Sequence, residues 1–223
     1  MFNASEISSA RHGYRWIIVI TGFIINICIG AIYSYSIFRK PLENLWRITS
    51  TESGLPYTTF LAAFAFVMPF AGSFLDRFGP RSTLLLGSSV VAIGWILSSY
   101  STNIYMLTIL YGLIGGAGTG IVYSVPITTA AKWFPKNAGT AIGLTVLGFG
   151  LSPLIIAPII TSLIELVGPL RSFLYLGVAI LLVLLGFSFI LRFPREYYSS
   201  GMLDVQYREA QLELDRSAML RTR

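Results

Sequence analysis

The sequence predicts an all-α membrane protein whose six transmembrane helices form a 3+3 inverted repeat. Three observations predict this fold class: an apolar composition, long runs without charged residues, and an internal repeat. Hydrophobic residues make up 54% of the 223 residues and charged residues 12%, and the mean hydropathy is +0.70. Soluble globular domains carry about 25% charged residues. We therefore expect the chain to lie in a lipid bilayer.

Five runs of the chain contain no Lys, Arg, Asp, Glu or His, namely 16–38, 53–75, 82–131, 137–164 and 172–191. Each can form a helix that crosses the hydrocarbon core of about 30 Å, because an α-helix rises about 1.5 Å per residue. The third run is about twice as long as one crossing requires, and the polar segment SSYSTNIY in its middle indicates a turn. We expect two helices there, 82–100 and 104–131, and six crossings in all.

Basic residues in the short loops predict the orientation. An even number of crossings puts both termini on one side, and the side with more Lys and Arg is usually cytoplasmic. If that side holds the termini, its flanks carry Arg11, Arg15, Arg77, Arg81, Lys132, Lys136, Arg192 and Arg195, against Arg39, Lys40, Arg47 and Arg171 opposite. Both termini are therefore expected in the cytoplasm, with the helices in the cell's inner or plasma membrane. The net charge of +6 is spread over loops, so nucleic acid is not expected as a partner.

The repeat begins with the phrase GAIYS, Gly30 to Ser34, which returns as GIVYS at Gly120 to Ser124. The segment GPRSTLLLG from Gly79 likewise matches GPLRSFLYLG from Gly168 once one residue is inserted, which pairs Ser82 with Ser172. The second predicted helix also matches the fifth. Three consecutive segments therefore keep nearly one offset in the same order, which is typical of an internal repeat. Each copy has three crossings, so the second copy enters from the opposite face. Inverted repeats of this kind are typical of secondary transporters.

The predicted organisation follows from these elements. Residues 1–14 form a cytoplasmic N-terminus, 15–102 the first three-helix repeat, 103–192 the second, and 193–223 a cytoplasmic tail. In the tail, Leu203, Tyr207, Ala210 and Leu214 recur at helical spacing and indicate an amphipathic helix.

A charged loop between the second and third predicted helices has the spacing G-x-x-x-D-R-x-G-x-R, formed by Gly72, Asp76, Arg77, Gly79 and Arg81. This spacing resembles the signature loop of the major facilitator superfamily, and the resemblance implies a gating role. Because Asp76 ends a helix, where the macrodipole disfavours an anion, we expect compensation from Arg77, Arg81 or a helix N-terminus. Pro80 stands where the family usually has a basic residue. A solvated turn is the alternative.

The fifth predicted helix contains Gly139, Gly148, Ser152 and Pro153 at the spacing G-x8-G-x3-S-P. The spacing resembles the superfamily's antiporter motif, although serine replaces one glycine and the final glycine pair is missing. Close helix packing by small residues is the alternative.

Whole phrases resemble the oxalate/formate antiporter family, among them RWIIVITGF, YGLIGGAGTGIVYS and AKWFPKNAGTAIGLTVLGFG. The resemblance extends from Arg15 to about Pro194, and it implies exchange of small organic anions through a pathway lined by aromatic rings. It places Tyr33, Tyr123 and Phe149 in that pathway, with Tyr35 as a further candidate. The alternative for any of these tyrosines is a ring packed between helices with its hydroxyl bonded to a backbone carbonyl.

None of the predicted crossings contains a Lys or Arg, although a carboxylate substrate needs a cation. The resemblance implies that the basic residues belong to a second six-helix half, supplied by a separate chain or by a homodimer. We therefore expect an N-terminal half of an alternating-access transporter for oxalate, formate or other carboxylates, working by antiport. The alternative is a non-transporting scaffold or an inactive fragment.

Enzymatic function is not expected. The chain has one histidine, His12, which precedes the first crossing, and one cysteine, Cys28. A serine nucleophile would lack its usual base inside the membrane, and one His with one Cys cannot form a zinc site. No phosphate-binding loop is present. We expect no cofactor, and membrane lipid as a further partner.

Overall fold

A computed structural model describes residues 4–194, with side chains from residue 13 onward. All regular structure in this part of the chain is helical. The elements are α1 (Ala4–Ile29), a 3-10 turn (Gly30–Ser34), α2 (Ser36–Trp46), α3 (Ser50–Ser98), α4 (Ile104–Leu107), a π-helical stretch (Thr108–Gly115), α5 (Gly116–Trp133), α6 (Ala138–Val167) and α7 (Pro169–Ser188). The amphipathic helix predicted in the tail lies outside the described residues.

Within residues 4–194, five helical segments are long and apolar enough to cross a membrane: Gly13–Ser34, Ser50–Ser98, Ile104–Trp133, Ala138–Val167 and Pro169–Ser188. The structure is therefore all-helical with several membrane-spanning candidates, as the sequence predicts. One segment differs from the prediction, because the helices expected at 53–75 and 82–100 are joined in the 49 residues of α3.

Gly79 interrupts α3. Its backbone has φ 79° and ψ 168°, a conformation that glycine adopts without the strain a Cβ would cause. Pro80 follows, and proline fits the first position of a helix because its missing N–H has no partner there anyway. α3 is thus divided into two helical segments, 50–78 and 80–98.

Gly168, between α6 and α7, repeats this geometry with φ 83° and ψ 167°, and Pro169 follows it. The hydroxyl of Thr83 donates to the carbonyl of Gly79 at 2.8 Å, and that of Ser172 donates to Gly168 at 2.7 Å. Both hydroxyl residues are fully buried, four positions after the glycine. By its position after the glycine and by its hydrogen bond, Ser172 therefore matches Thr83 in the structure, whereas the sequence comparison pairs it with Ser82 through one inserted residue.

The helices pack in two groups. α1 packs against α5 and α6, and α3 packs against α5 and α7. α3, α7 and the π-helical stretch enclose a buried aromatic core. In this core the ring centroid of Tyr111 is 5.1 Å from that of Trp95 and 5.2 Å from that of Phe173. These rings lie against helices of both predicted repeats.

Replacing Gly168 with alanine should destabilise the protein, because a Cβ strains a backbone with φ 83° and ψ 167°. We expect the free energy of unfolding to fall by about 1–3 kcal/mol, which can be measured as a lower Tm in detergent. Gly186→Ala is the matched control, since Gly186 lies inside α7 and an added Cβ meets nothing within 4 Å. Equal Tm values for the two variants would contradict the glycine requirement.

Candidate functional site

Three rings selected from the sequence lie in contact. The centroid of the Phe149 ring is 5.0 Å from that of Tyr33 and 5.0 Å from that of Tyr123, with interplanar angles of 71° and 61°. Phe64 joins them, at 5.3 Å from Tyr123 and 6.1 Å from Phe149. We call these four residues the four-ring cluster. They come from the 3-10 turn, α3, α5 and α6, so the cluster joins four elements.

The contacts within the cluster form matched pairs. Tyr33 meets Phe149 at 71°, and Tyr123 meets Phe64 at 73°. The two phenylalanines lie nearly parallel to each other, with an interplanar angle of 14°. Edge-to-face and offset parallel arrangements are the favoured geometries of aromatic pairs.

The backbone repeats the same pairing. A Cβ built on Gly30 would lie 2.6 Å from the carbonyl oxygen of Phe149, and one built on Gly120 would lie 2.9 Å from that of Phe64. Each of these glycines stands three residues before a cluster tyrosine. The glycine of each repeated phrase therefore lets its helix approach the partner phenylalanine, and this approach brings the tyrosine ring beside the phenylalanine ring.

The two tyrosine hydroxyls are available to a ligand. Tyr33 is 43% exposed and Tyr123 is partly buried, whereas Phe149 is 8% exposed. Among the described side chains, neither tyrosine hydroxyl has a hydrogen-bond partner. A phenol hydroxyl can both donate and accept. The cluster thus combines apolar walls with two unused polar groups.

Phe64 is not among the residues predicted from the sequence. The signal that could have found it is the repeat, which matches the helix of Tyr33 with that of Tyr123 and α6 with the first segment of α3. An aromatic contact of Tyr33 on α6 then predicts an aromatic contact of Tyr123 on α3.

Tyr35 lies elsewhere. It is 1% exposed, its ring stacks on Tyr111 at 5.3 Å, and its hydroxyl donates to the carbonyl of Ser53 at 3.0 Å. It is part of the buried aromatic core and has the geometry of the packing alternative. The structure brings Tyr33, Tyr123 and Phe149 together and keeps Tyr35 apart.

The antiporter-like residues of α6 lie mainly at its seam with α1. A Cβ on Gly148 would clash with the carbonyl of Phe23, and Ser152 donates to the carbonyl of Ile27 at 2.6 Å. Pro153 has no N–H, so the carbonyl of Phe149 loses its intrahelical donor. Gly139 differs, because an added Cβ there meets nothing within 4 Å.

In the charged loop, the cation next to Asp76 is Lys132, whose Nζ donates to Oδ1 at 2.6 Å. Lys132 lies in the last turn of α5, and in the sequence it is only one of the basic residues that predict the orientation. The expected cations lie on aromatic rings instead. The guanidinium carbon of Arg77 is 5.4 Å from the ring centre of Phe78, and that of Arg81 is 4.5 Å from Phe189.

The other members of the loop motif have different surroundings. Gly79 supplies the turn described above, whereas a Cβ on Gly72 would meet nothing within 4 Å. Within the described part of the chain, no group of His, Cys, Asp and Glu residues could hold a metal ion.

Comparison with known proteins identifies what the chain is similar to. A family model described as Major Facilitator Superfamily matches residues 16–203. The oxalate:formate antiporter of Oxalobacter formigenes is 31% identical over 188 residues, covering 84% of this chain and 45% of the relative. The uncharacterized MFS-type transporter YhjX of Escherichia coli (strain K12) is 24% identical, covering 86% of this chain and 49% of the relative.

A more distant similarity is to monocarboxylate transporter 14 of Homo sapiens, which is 30% identical over 143 residues, covering 62% of this chain and 27% of the relative. The chain thus spans about half the length of the first two relatives. These similarities confirm the resemblance recognised in the sequence.

Gly148→Ala should weaken the seam between α1 and α6, because the new methyl group collides with the backbone of Phe23. Overpacking of this kind costs about 1–3 kcal/mol, and we expect a lower Tm in detergent. The control is Gly150→Ala, since Gly150 lies on the same helix and meets nothing within 4 Å. A Tm for Gly148→Ala that equals the wild-type value would show that the seam tolerates the methyl group.

Proposed function

Because the chain belongs to the Major Facilitator Superfamily, we propose that it forms one half of a secondary transporter for small organic anions. It is an integral multi-pass membrane protein of a transporter family, not an enzyme. The observation that carries the proposal is the four-ring cluster with its two unpartnered tyrosine hydroxyls.

The cargo we propose is a small carboxylate such as oxalate or formate, moved by antiport. Two hydroxyl groups on different helices can donate hydrogen bonds to the oxygens of a carboxylate. Phe64 and Phe149 provide the apolar surface around it. The named activities of the relatives, oxalate:formate antiport and monocarboxylate transport, support the same class of substrate.

The cluster needs a cation from outside the described residues. An anion loses its hydration in a low-dielectric site, and hydrogen bonds alone do not repay that cost. The predicted crossings contain no Lys or Arg. We propose that a second six-helix half completes the site, either as the remainder of a longer chain, as a separate chain, or as a second copy in a homodimer.

We further propose that the chain crosses the membrane six times as a 3+3 inverted repeat, with α3 crossing twice. Two observations support this. Gly79 and Gly168 share one backbone conformation, followed in each case by proline. The approach of Gly30 to Phe149 is matched by that of Gly120 to Phe64. Two related units can exchange conformations at little difference in free energy, which is the basis of alternating access.

The ion pair between Asp76 and Lys132 supports a gating role for the charged loop, because it links the break in α3 to the end of α5. We propose that both termini are cytoplasmic, in the inner or plasma membrane, and that the pair lies at the cytoplasmic end. A partly exposed ion pair contributes little stability, so a conformational change can break it at small cost.

Counterflow in liposomes tests the function. Vesicles that contain the full chain, alone or with its second half, are loaded with unlabelled oxalate and exposed to labelled oxalate, formate or lactate. We expect uptake that requires the internal anion. No uptake above empty vesicles in any assembly would instead identify the chain as a non-transporting scaffold. Uptake that is independent of internal anion would contradict antiport.

Within an assembly that transports, Tyr33→Phe and Tyr123→Phe should each weaken the apparent affinity for oxalate about tenfold. A hydrogen bond to a charged group contributes about 1.5–3 kcal/mol, and 1.4 kcal/mol corresponds to about tenfold. Tyr100→Phe, at a residue that is 66% exposed, should leave the affinity unchanged. Identical effects of all three substitutions would mean that the cluster hydroxyls do not contact the substrate.

A further inference from the structure

The two ends of the helices differ in charge. Four contacts gather residues at one end: Asp76 with Lys132, Arg81 with Phe189, Tyr14 with Trp133, and Trp133 with Arg192. The charged side chains described at this end are Arg15, Arg77, Arg81, Lys132, Lys136 and Arg192, with Asp76 as the acid. The opposite end has Arg39, Lys40, Arg47 and Arg171 with Glu43, Glu52 and Glu165. We call the first end the basic end.

Aromatic rings cover part of the basic end. The rings of Tyr14 and Trp133 are 5.2 Å apart, and Trp16 contacts Phe134 at 5.5 Å. The indole N–H of Trp133 donates to the carbonyl of Arg192 at 2.8 Å, and Tyr14 donates to Ile190. These contacts join the middle of α1, the end of α5 and the residues after α7, and we call this meeting point the junction. Trp and Tyr prefer the level of the lipid headgroups.

Arg15 lies at this junction, between Tyr14 and Trp16 in the sequence. It is one turn before Val19, which packs against Ala130 and Ala141 with Phe134 beside them, and residues four apart share a helix face. The side chain of Arg15 is partly buried, and its Nε atom is covered without a hydrogen-bond partner. Among the described residues no carboxylate pairs with it. A desolvated cation without a counter-ion costs free energy.

Arg192 supplies a second cation at the same junction. Its guanidinium carbon lies 4.6 Å from the ring centre of Tyr14, and the residue is exposed. No acid within the described part of the chain pairs with Arg192. The junction therefore presents the Arg192 guanidinium on the ring of Tyr14 and the partly buried side chain of Arg15, the next residue of α1, and no carboxylate among the described residues pairs with either.

We propose that this junction binds the headgroup phosphate of an anionic phospholipid. A guanidinium matches the geometry of phosphate oxygens and can bind them with two hydrogen bonds, and basic pockets between helices on the cytoplasmic side are typical sites for such headgroups. A lipid fits better than free phosphate, because Trp16, Ile17 and Ile20 are 50%, 46% and 56% exposed and offer apolar contact for an acyl chain. This site is separate from the four-ring cluster.

The test is thermal unfolding of the full chain in detergent during titration with palmitoyl-oleoyl phosphatidylglycerol. We expect this lipid to raise the Tm by about 5 °C more than the zwitterionic phosphatidylcholine. A ligand that binds only the folded state, at about 100 times its Kd, raises the ratio of folded to unfolded protein about 100-fold, and this shifts the Tm of a chain of this size by several degrees. Native mass spectrometry should show phosphatidylglycerol retained in preference to phosphatidylcholine. Equal Tm shifts for the two lipids would overturn the proposal.

Variants locate the site. The double substitution Arg15→Gln and Arg192→Gln should remove most of the phosphatidylglycerol preference, whereas Arg171→Gln at the opposite end should keep it. Full preference in the double variant would overturn the proposal. If the double variant does not fold, the wild type in 0.5 M NaCl should lose most of the preference through screening. An equal Tm shift from inorganic phosphate would reject the lipid assignment.

Discussion

The close approach of two glycines to two phenylalanine carbonyls is the constraint on which the candidate site depends. Gly30 lies against Phe149 and Gly120 against Phe64, at distances where no Cβ fits. Hydrophobic burial does not select between helix partners inside a bilayer, because lipid tails are as apolar as leucine. Small residues that allow backbones to approach therefore decide which helices meet. When these helices meet, the ring of Tyr33 lies against Phe149 and the ring of Tyr123 lies against Phe64. The repeated segments GAIYS and GIVYS therefore have two roles: their glycines allow close helix packing, and their tyrosines place a hydroxyl group at the cluster.

Within the described helices, most buried hydroxyls are already satisfied and cannot serve a ligand. Thr119, Thr129 and Thr145 each donate to the carbonyl four residues before them, as expected where water is absent. The hydroxyls of Tyr33 and Tyr123 are the contrast, since they extend beyond their own helices and remain unpartnered among the described residues. Two neutral donors orient an anion but do not neutralise it. This physical deficit, together with the coverage of about half of each of two relatives, is why the proposed transporter requires a second half.

The sequence predicted the elements better than their contacts. Hydropathy and charge gave the all-helical membrane fold because helix length and desolvation cost are local properties. They could not show that α3 continues through the Gly79 turn without a loop. Tyr33 and Tyr123 were selected through the family resemblance, and the structure brings both into contact with Phe149, but Phe64 and the pairing of Lys132 with Asp76 were missed. Which side chains meet depends on helix packing, and a single sequence shows packing only through small-residue patterns. Tyr35 is another example. It is buried because its ring packs on Tyr57 of α3 and Tyr111 of the π-helical stretch, and the residues around Tyr35 in the sequence do not indicate these contacts.

The proposed transport depends on substrate binding at the four-ring cluster. An experimental structure of the assembled protein with bound oxalate tests it most directly. We expect a carboxylate within hydrogen-bond distance of the hydroxyls of Tyr33 and Tyr123, with Phe64 and Phe149 beside it and a cation from the second half opposite. A structure in which oxalate binds elsewhere, while the four rings keep their mutual contacts and no ligand touches either hydroxyl, would contradict it.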